Sequence, residues 1–398
     1  MVQRWHALGR DTRWVMIAYG LWGVGEGLWM FLQPLYLESL GATSTQTGST
    51  LGMWGMGRLL FILPSSILAD RIGARRLMLP GWYIGLAGVA IIALAPNWHW
   101  AALGFLVYGM SAIAIPITNL YLTQAIHHDP TRQPDLPLQT ALTMNWATYS
   151  LGLVVSPIIG GWIGDTISLR AVFMLSVFWF VLSTAAITRT APYPVPQRPA
   201  QGHAYSSLLR QRHVTLAFAV IMVGFSAVLI GQPLSSQYLE DVRGLSNTII
   251  GALGSVNALG TAFFSVALGR MTALRGFYVN LLLVMVAFAL FMISGAWPVI
   301  VAAMFLLGAH YTTRPFAASV VSERVSEHHH GMAYALVEML AGLATVVGTN
   351  AAGVLYGGNP TWPFWAGIGG VLLAVMLGAL LLQPRNRPVR IVQQQAGD

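Results

Sequence analysis

The sequence predicts an all-α membrane protein: twelve transmembrane helices arranged as two six-helix, pseudo-symmetric bundles, with both termini cytoplasmic. Three observations lead there. Hydrophobic residues make up 56% of the 398 and charged residues only 9%, too few polar side chains to coat a soluble globule. Apolar runs long enough to cross a ~30 Å hydrocarbon core recur along the whole chain. The basic residues, 21 in number and all arginine, fall mostly on one side of those runs.

In order, the spans are expected at about residues 14–36, 46–68, 77–96, 99–122, 140–164 and 170–188, and then 213–238, 246–268, 277–295, 297–321, 332–355 and 361–383. The arginines set the orientation. One side carries Arg4, Arg10, Arg13, Arg71, Arg75, Arg76, Arg132, Arg189, Arg198, Arg210, Arg212, Arg270, Arg275, Arg324, Arg385, Arg387 and Arg390, and the other only Arg170 and Arg243. By the positive-inside rule the crowded side is cytoplasmic, and an even number of spans brings both ends there. The net charge of +8 is therefore read as topology. No basic cluster is interleaved with exposed aromatics as a nucleic-acid surface requires, so no nucleic-acid partner is expected. Residues 1–13 show no cleavable signal pattern, and the first helix is expected to stay as a signal anchor. The chain has no cysteine, which excludes disulfides, thiolate metal sites and cysteine nucleophiles.

The domain organisation follows. Residues 1–189 form an N-terminal six-helix bundle, 190–212 a cytoplasmic linker rich in Pro, Gln, Arg and Ser, 213–384 a C-terminal bundle, and 385–398 a cytoplasmic tail. An offset of 199 residues places Gln33-Pro34-Leu35 on Gln232-Pro233-Leu234, Arg71 on Arg270, Gly109 on Gly308 and Pro116 on Pro315. These identities gain meaning from falling at matching places in matching helices, as two parallel repeats about an axis normal to the membrane would require.

Between the second and third spans lies Ser66-Ile67-Leu68-Ala69-Asp70-Arg71-Ile72-Gly73-Ala74-Arg75-Arg76. Its spacing resembles the loop motif Gly-x-Leu-Ala-Asp-Arg-x-Gly-Arg-Arg of major facilitator superfamily transporters. Asp70, Arg71, Gly73 and Arg75 fall on the pattern; Ser66 and Ala74 depart from it. The resemblance implies a conformational gate at Asp70, Arg71, Gly73, Arg75 and Arg76. Asp70 would sit at the N-terminus of the eleventh span near Gly331 in one state of the cycle, while Arg71 and Arg75 hold Asp70 and the facing helix end. The fifth span carries Gly152-x-x-x-Ser156-Pro157-x-x-Gly160-Gly161, which resembles the glycine-proline motif of the antiporter branches. Physically, its small residues permit close helix approach and Pro157 frees a carbonyl and bends the helix; a plain packing seam is the alternative. The arginine typical of proton antiporters in the fourth span is missing, the neighbourhood of Tyr108-Gly109 being apolar.

Charges inside spans are the functional pointers, because even on insertion scales one costs about 2.5 kcal/mol or more. Glu26 in the first helix and Arg58 in the second fall ~18 and ~15 Å from the cytoplasmic ends at 1.5 Å per residue, which permits a pair. Arg314 and Glu338, at ~10 and ~9 Å, permit a second. Around Glu26 the helical spacing puts Tyr19, Trp22, Trp29 and Gln33 on one face, and around Glu338 it aligns Tyr334, Thr345 and Thr349. Asn145, Tyr149, Asn257 and His310 add polar positions. The family's architecture implies that these residues line one chamber, suited to a ligand with ring surface and a charged or hydroxylated group. Glu26 with Arg58 is read as the proton-coupling pair, with a fixed ion pair that locks two helices as the alternative. Arg314 and Glu338 are read as a latch or as substrate contacts. His328-His329-His330 does not present convergent ligands, and no metal or cofactor is expected.

The expected function is secondary active transport by alternating access: proton-coupled export of small amphipathic compounds by a multi-pass plasma-membrane protein. Its partners would be a small-molecule substrate, protons and membrane lipids, and its expected state is a monomer. A permease or exchanger for an organic anion or sugar, bound by Arg58 and Arg314, is the alternative; a lipid flippase or a membrane-embedded enzyme follows behind. No catalytic set or phosphate loop is found on the polar segments, so an enzyme is not expected.

Overall fold

The computed structural model describes residues 8–129, 131, 138–193, 210–325 and 330–382, and within these not the side chains of residues 63, 65–67, 69–71, 138–140, 330 and 331. Arg4, Arg132, Arg198, the tail arginines, the side chains of Asp70 and Arg71, the environment of Gly331 and His328-His329-His330, and most of the linker therefore lie outside the described residues.

Every described element is helical. The N-terminal half consists of α1 (Arg10–Trp29), α2 (Gln33–Ser39), α3 (Ser44–Ile72), α4 (Ala74–Leu94), α5 (Trp98–Met110), α6 (Ala114–His128), α7 (Leu138–Thr166) and α8 (Leu169–Ile187). The C-terminal half consists of α9 (Arg212–Gly231), α10 (Ser235–Asp241), α11 (Asn247–Ala267), α12 (Ala273–Ile293), α13 (Trp297–Leu307), α14 (His310–Ser322), α15 (His330–Gly358) and α16 (Trp362–Leu381). Among the described residues, nine spans are long and apolar enough to cross a membrane, and the α1–α2 pair, bent by 54°, makes a tenth. The remaining two, α3 and the broken α13–α14, are the ones that carry Arg58 and Arg314.

The breaks have local causes. Pro34 lies in the first turn of α2, where its missing N–H costs nothing, so a new helix starts there after the chain turns. A 3-10 turn, Ser111–Ile113, separates α5 from α6. Asn97 caps α5 by accepting from His99 and Trp100, and Ser168 caps α8 by accepting from Ala171. Gly73 divides α3 from α4 with φ of 90°, a left-handed conformation that only glycine adopts without strain.

The repeat is visible in the geometry. α4 and α12 start and end 199 residues apart, as do the starts of α5 and α13. In the first span pair the register differs: the break after α1 and the break after α9 are offset by 202, so Pro34 begins α2 whereas Pro233 lies in the turn before α10. The Gln-Pro-Leu alignment is thus three residues out of structural register. The better match is Tyr36-Leu37-Glu38 with Tyr238-Leu239-Glu240.

Two seams join the halves: α3 runs along α15, and α7 along α11. Small residues make both possible. Gly48 and Gly55 lie against the backbones of Gly353 and Gly342, and Gly161 lies against the backbone of Asn247. Side-chain hydrogen bonds reinforce the seams at the end remote from Thr190 and Arg210, here the far side. Ser49 Oγ donates to Asn350 Oδ1 at 2.7 Å, and Asp165 accepts from the Asn247 and Thr248 amides at 3.0 and 2.7 Å.

On the linker side the N-terminal half is knotted around Asp11. Its Oδ2 accepts from the Tyr121 hydroxyl, the Ala191 amide and the Tyr193 hydroxyl at 2.9, 2.8 and 2.8 Å. Arg75 donates to the carbonyls of Thr190 and Thr188 just beyond α8, a cation at a helix C-terminus. This loop-motif arginine therefore holds a helix end of its own half, and Arg76 is exposed.

Candidate functional site

The buried charged groups lie where the two halves meet. Glu26, on α1, is buried, and its Oε2 accepts the Tyr149 hydroxyl of α7 at 2.8 Å. Trp22 and Tyr108 lie beside the same carboxylate. Rings surround this cluster: Tyr149 against Tyr19 and Trp146 with centroids 6.3 and 5.7 Å apart, and Tyr108 against Trp22, Trp29 and Trp54.

Arg58, on α3, is buried, and its guanidinium pairs with Glu338 of α15 across the interface between the halves. It is the one ion pair among the described residues. The expected Glu26–Arg58 and Arg314–Glu338 pairs are both absent. The helical depth argument locates each charge along the membrane normal, but it says nothing about which helix stands opposite. Here α3 faces α15 along its length, so Arg58 meets the acid of α15.

Arg314 projects from α14 into the same region, close enough for its charge to act on Arg58 and His310 and to be acted on by Tyr149 and Tyr311. No hydrogen bond or ion pair engages it among the described residues. The Tyr311 hydroxyl donates across the interface to Met30 Sδ at 3.3 Å. His310 is turned back, its Nδ1 2.9 Å from the Leu307 carbonyl in the preceding turn.

Several of the expected wall residues also pack within their own half. Trp29 is fully buried within the N-terminal half, donating from Nε1 to Ser176 Oγ at 3.0 Å and packed against Phe105 and Phe173. Trp22 packs on Phe180 and Trp82. Both lie on the Glu26 face of α1, but that face is wide enough to meet α8 and the charged groups together. Tyr19 and Gln33 are buried too. Asn257 donates to the Met304 carbonyl within its own half, and Thr345 and Thr349 bond to their own helix, as membrane helices require of isolated polar groups. Asn145 is completely buried with neither amide atom partnered.

The α7 motif is a packing seam in this structure. Gly152 and Gly160 lie against the α1 backbone at Gly23 and Leu28, Gly161 lies against α11, and the Pro157 carbonyl lies against Gly251. Ser156 donates to Gly152 O at 2.7 Å. Tyr108 and Tyr311 were missed by the sequence reading; the only signal was a tyrosine within an apolar span.

Buried charges and rings gathered at the seam of two helical repeats are a transporter's arrangement. The Major Facilitator Superfamily profile matches residues 15–276 and 216–397. The chain belongs to that superfamily. It is therefore a multi-pass membrane transporter and not an enzyme. It is similar to the class B tetracycline resistance protein of Escherichia coli, 24% identical over 384 residues covering 90% of this chain and 91% of that one. It is also similar to the multidrug resistance protein MdtG of Proteus mirabilis, 27% identical with 66% of this chain and 68% of that one covered. Among solved structures, a mutant of the nucleoside transporter NupG superposes with a TM-score of 0.82 at 13% identity, covering 94% of this chain and all of that one. The human organic anion transporter MFSD10 superposes with a TM-score of 0.68 at 18% identity, covering 92% of this chain and 98% of that one. At those identities the structures speak for the fold alone.

Proposed function

We propose that this secondary transporter exports small amphipathic compounds in exchange for protons, with Glu26 as the proton site. The observation that carries the reading is the setting of Glu26, a buried carboxyl whose hydrogen-bond partner is a neutral phenol, Tyr149, and which no arginine engages among the described residues. A carboxyl in that position can take up or release a proton, and a cationic or hydroxylated substrate head that claims Tyr149 and Glu26 competes with the proton for the site. The surrounding rings offer the wall that a compound with ring surface needs. The resistance functions in the names of the similar proteins point the same way.

Arg58–Glu338 serves as the link between proton site and motion. With the far side closed, Arg58 is held by Glu338; when the halves rock apart along the α3–α15 seam the pair breaks, and a free guanidinium becomes available to Glu26 as a counter-charge that expels its proton. The termini and the linker side face the cytoplasm of the plasma membrane, and the transporter works as a monomer amid membrane lipids.

A second reading has its own observation. The unengaged guanidinium of Arg314 suits an acidic group, as in an organic anion permease. One experiment separates the two: proton movement in proteoliposomes with a trapped pH dye, over cations, neutral amphiphiles and organic anions, for wild type, Glu26→Gln and Arg314→Gln. Flux evoked by cationic or neutral amphiphiles and lost in Glu26→Gln supports export. Flux confined to anions and lost in Arg314→Gln replaces it with the permease.

A further inference from the structure

The pattern Asp-x-Ile-x-x-Arg occurs twice in the N-terminal half, as Asp70-Arg71-Ile72-Gly73-Ala74-Arg75 and, 95 residues on, as Asp165-Thr166-Ile167-Ser168-Leu169-Arg170. The first copy joins α3 to α4 on the linker side and the second joins α7 to α8 on the far side. The structure uses their arginines alike. Arg75, in the first turn of α4, donates to the Thr190 and Thr188 carbonyls past the end of α8 at 2.7 and 3.2 Å. Arg170, in the first turn of α8, donates to the Ala95 carbonyl just past the end of α4 at 2.8 Å. Each arginine ties the start of one helix to the end of the other, at opposite ends of the same helix pair. The second copy is the first turned over.

The acid of the second copy serves the other half. Among the described residues, every hydrogen bond to the Asp165 carboxylate comes from there: the Asn247 amide donates to Oδ1 at 3.0 Å, and the Thr248 amide and hydroxyl donate to Oδ2 at 2.7 and 2.6 Å. Asn247 and Thr248 are the first two residues of α11. Ser246, just before them, makes no side-chain capping bond, and the first turn of α11 holds no acid. A helix start leaves amides without intrahelical partners and carries partial positive charge. Here both needs are met by a carboxylate from across the seam. The approach is close because Gly161, one turn earlier on α7, lies against the Asn247 backbone. The corner that presents Asp165 is itself fixed: the Ile167 and Ser168 amides both donate to the Ile163 carbonyl, and Ser168 caps α8.

We infer that Asp165 is the latch of the far side, an N-cap lent by one half to α11 of the other, and that the far side opens only by uncapping that helix. The latch favours the closed form alone, because its bonds within the protein are lost once α7 and α11 part. The Asp165 charge also reaches Glu240 of α10, a repulsion that works against closure. Faster opening after neutralisation of Asp165 can therefore come only from the lost cap. The inference holds whichever compound or ion is carried.

The test uses the full-length protein in detergent with one cysteine introduced at a time, since the chain has none. Thr349→Cys places the thiol on α15 against Gly52 of α3, at a position 2% exposed, in the seam that Asp165 does not touch. Its rate of reaction with a polar maleimide reads how often the far side opens. Asp165→Ala should raise that rate about threefold to tenfold, the worth of a charged cap. Asp165→Asn keeps an acceptor without the charge and should raise it less, and Asp165→Glu should stay close to wild type. Thr248→Val removes one donor from the opposite half; it should raise the rate by itself and add nothing on top of Asp165→Ala. Ser176→Cys, buried inside the N-terminal half, controls for general loosening and should react at one slow rate in every variant. Unchanged labelling of Thr349→Cys in Asp165→Ala overturns the inference. So does a rise that Ser176→Cys shares, or slower labelling, which would make Asp165 a source of repulsion between the halves and not a latch.

Discussion

Arg58 reaches across the centre of the protein to Glu338, 280 residues away in sequence, and not to Glu26 in its own half. The pair is one-sided in its exposure, the arginine side chain 10% exposed and the glutamate 33%. Its loss therefore falls mainly on Arg58, whose Nε already lacks a partner.

Removing one member should cost more than removing both. Glu338→Gln strands a buried guanidinium and should destabilise the far-side-closed form by about 1–3 kcal/mol, below the usual figure for buried pairs because Glu338 is a third exposed. The exchange Arg58→Glu with Glu338→Arg should recover most of that. A double-mutant cycle on thermal unfolding in detergent and on transport rate provides the check. Additive effects of the single changes would show that the pair carries no coupling.

Glu26→Gln should retain compound binding while losing compound-evoked proton flux. Tyr149→Phe removes one hydrogen bond to the same carboxylate, worth about 1.5 kcal/mol, and should slow coupled flux about tenfold without abolishing it. Equilibrium binding paired with the pH-dye assay distinguishes the two variants. Full proton flux in Glu26→Gln would place the proton elsewhere.

The chain's lack of cysteine makes the far-side seam directly testable. Ser49 and Asn350 hydrogen-bond across it at 2.7 Å. A Ser49→Cys/Asn350→Cys pair should form a disulfide under mild oxidation, arrest transport, and regain it on reduction. Transport that continues in the cross-linked protein would mean that this seam does not open in the cycle.

The linker-side knot should weaken at high pH. Burial, and after it the Asp11 carboxylate that its hydroxyl contacts, raise the pKa of Tyr193 well above its ordinary value of 10.0. Below that value the phenol is neutral in both folded and unfolded chain, and its contribution is fully present. As pH rises past 10 the unfolded chain gives up the proton first, so stability falls. Tyr193→Phe should shrink the alkaline slope of thermal stability by one proton, whereas an unchanged slope would show that the phenol is not held in this way.

How much of this was legible follows from what each kind of signal encodes. Apolar length is a local property, so the spans could be read directly, and the boundaries of α4, α8 and α12 lie within a few residues of expectation. The repeat was legible in the third spans, at an offset of 199, but misaligned in the first, where three extra residues before Tyr238 shift the register. Tyr-Leu-Glu was present twice in the sequence and went unnoticed, because acids at span ends look like ordinary solvated caps until their mates meet. Trp29 shares the Glu26 face of α1, yet that face also meets Ser176 of α8; helical spacing gives direction around one axis without naming the neighbour.

The sequence by itself determined that this chain lives in a membrane, crosses it as helices, is built twice from one plan, and keeps Glu26, Arg58, Arg314 and Glu338 at depths where charge is costly. Those properties depend on composition, on 1.5 Å of rise per residue and on the length of apolar runs. Only the tertiary structure decided that Arg58 belongs to Glu338, that Glu26 answers to Tyr149, that Arg314 is left unengaged, and that Glu38 confronts Glu240. The physical reason is that depth is one coordinate of three. Partners are chosen by which helix stands opposite and how it is rotated, and the packing of glycine seams between α3 and α15 and between α7 and α11 settles both.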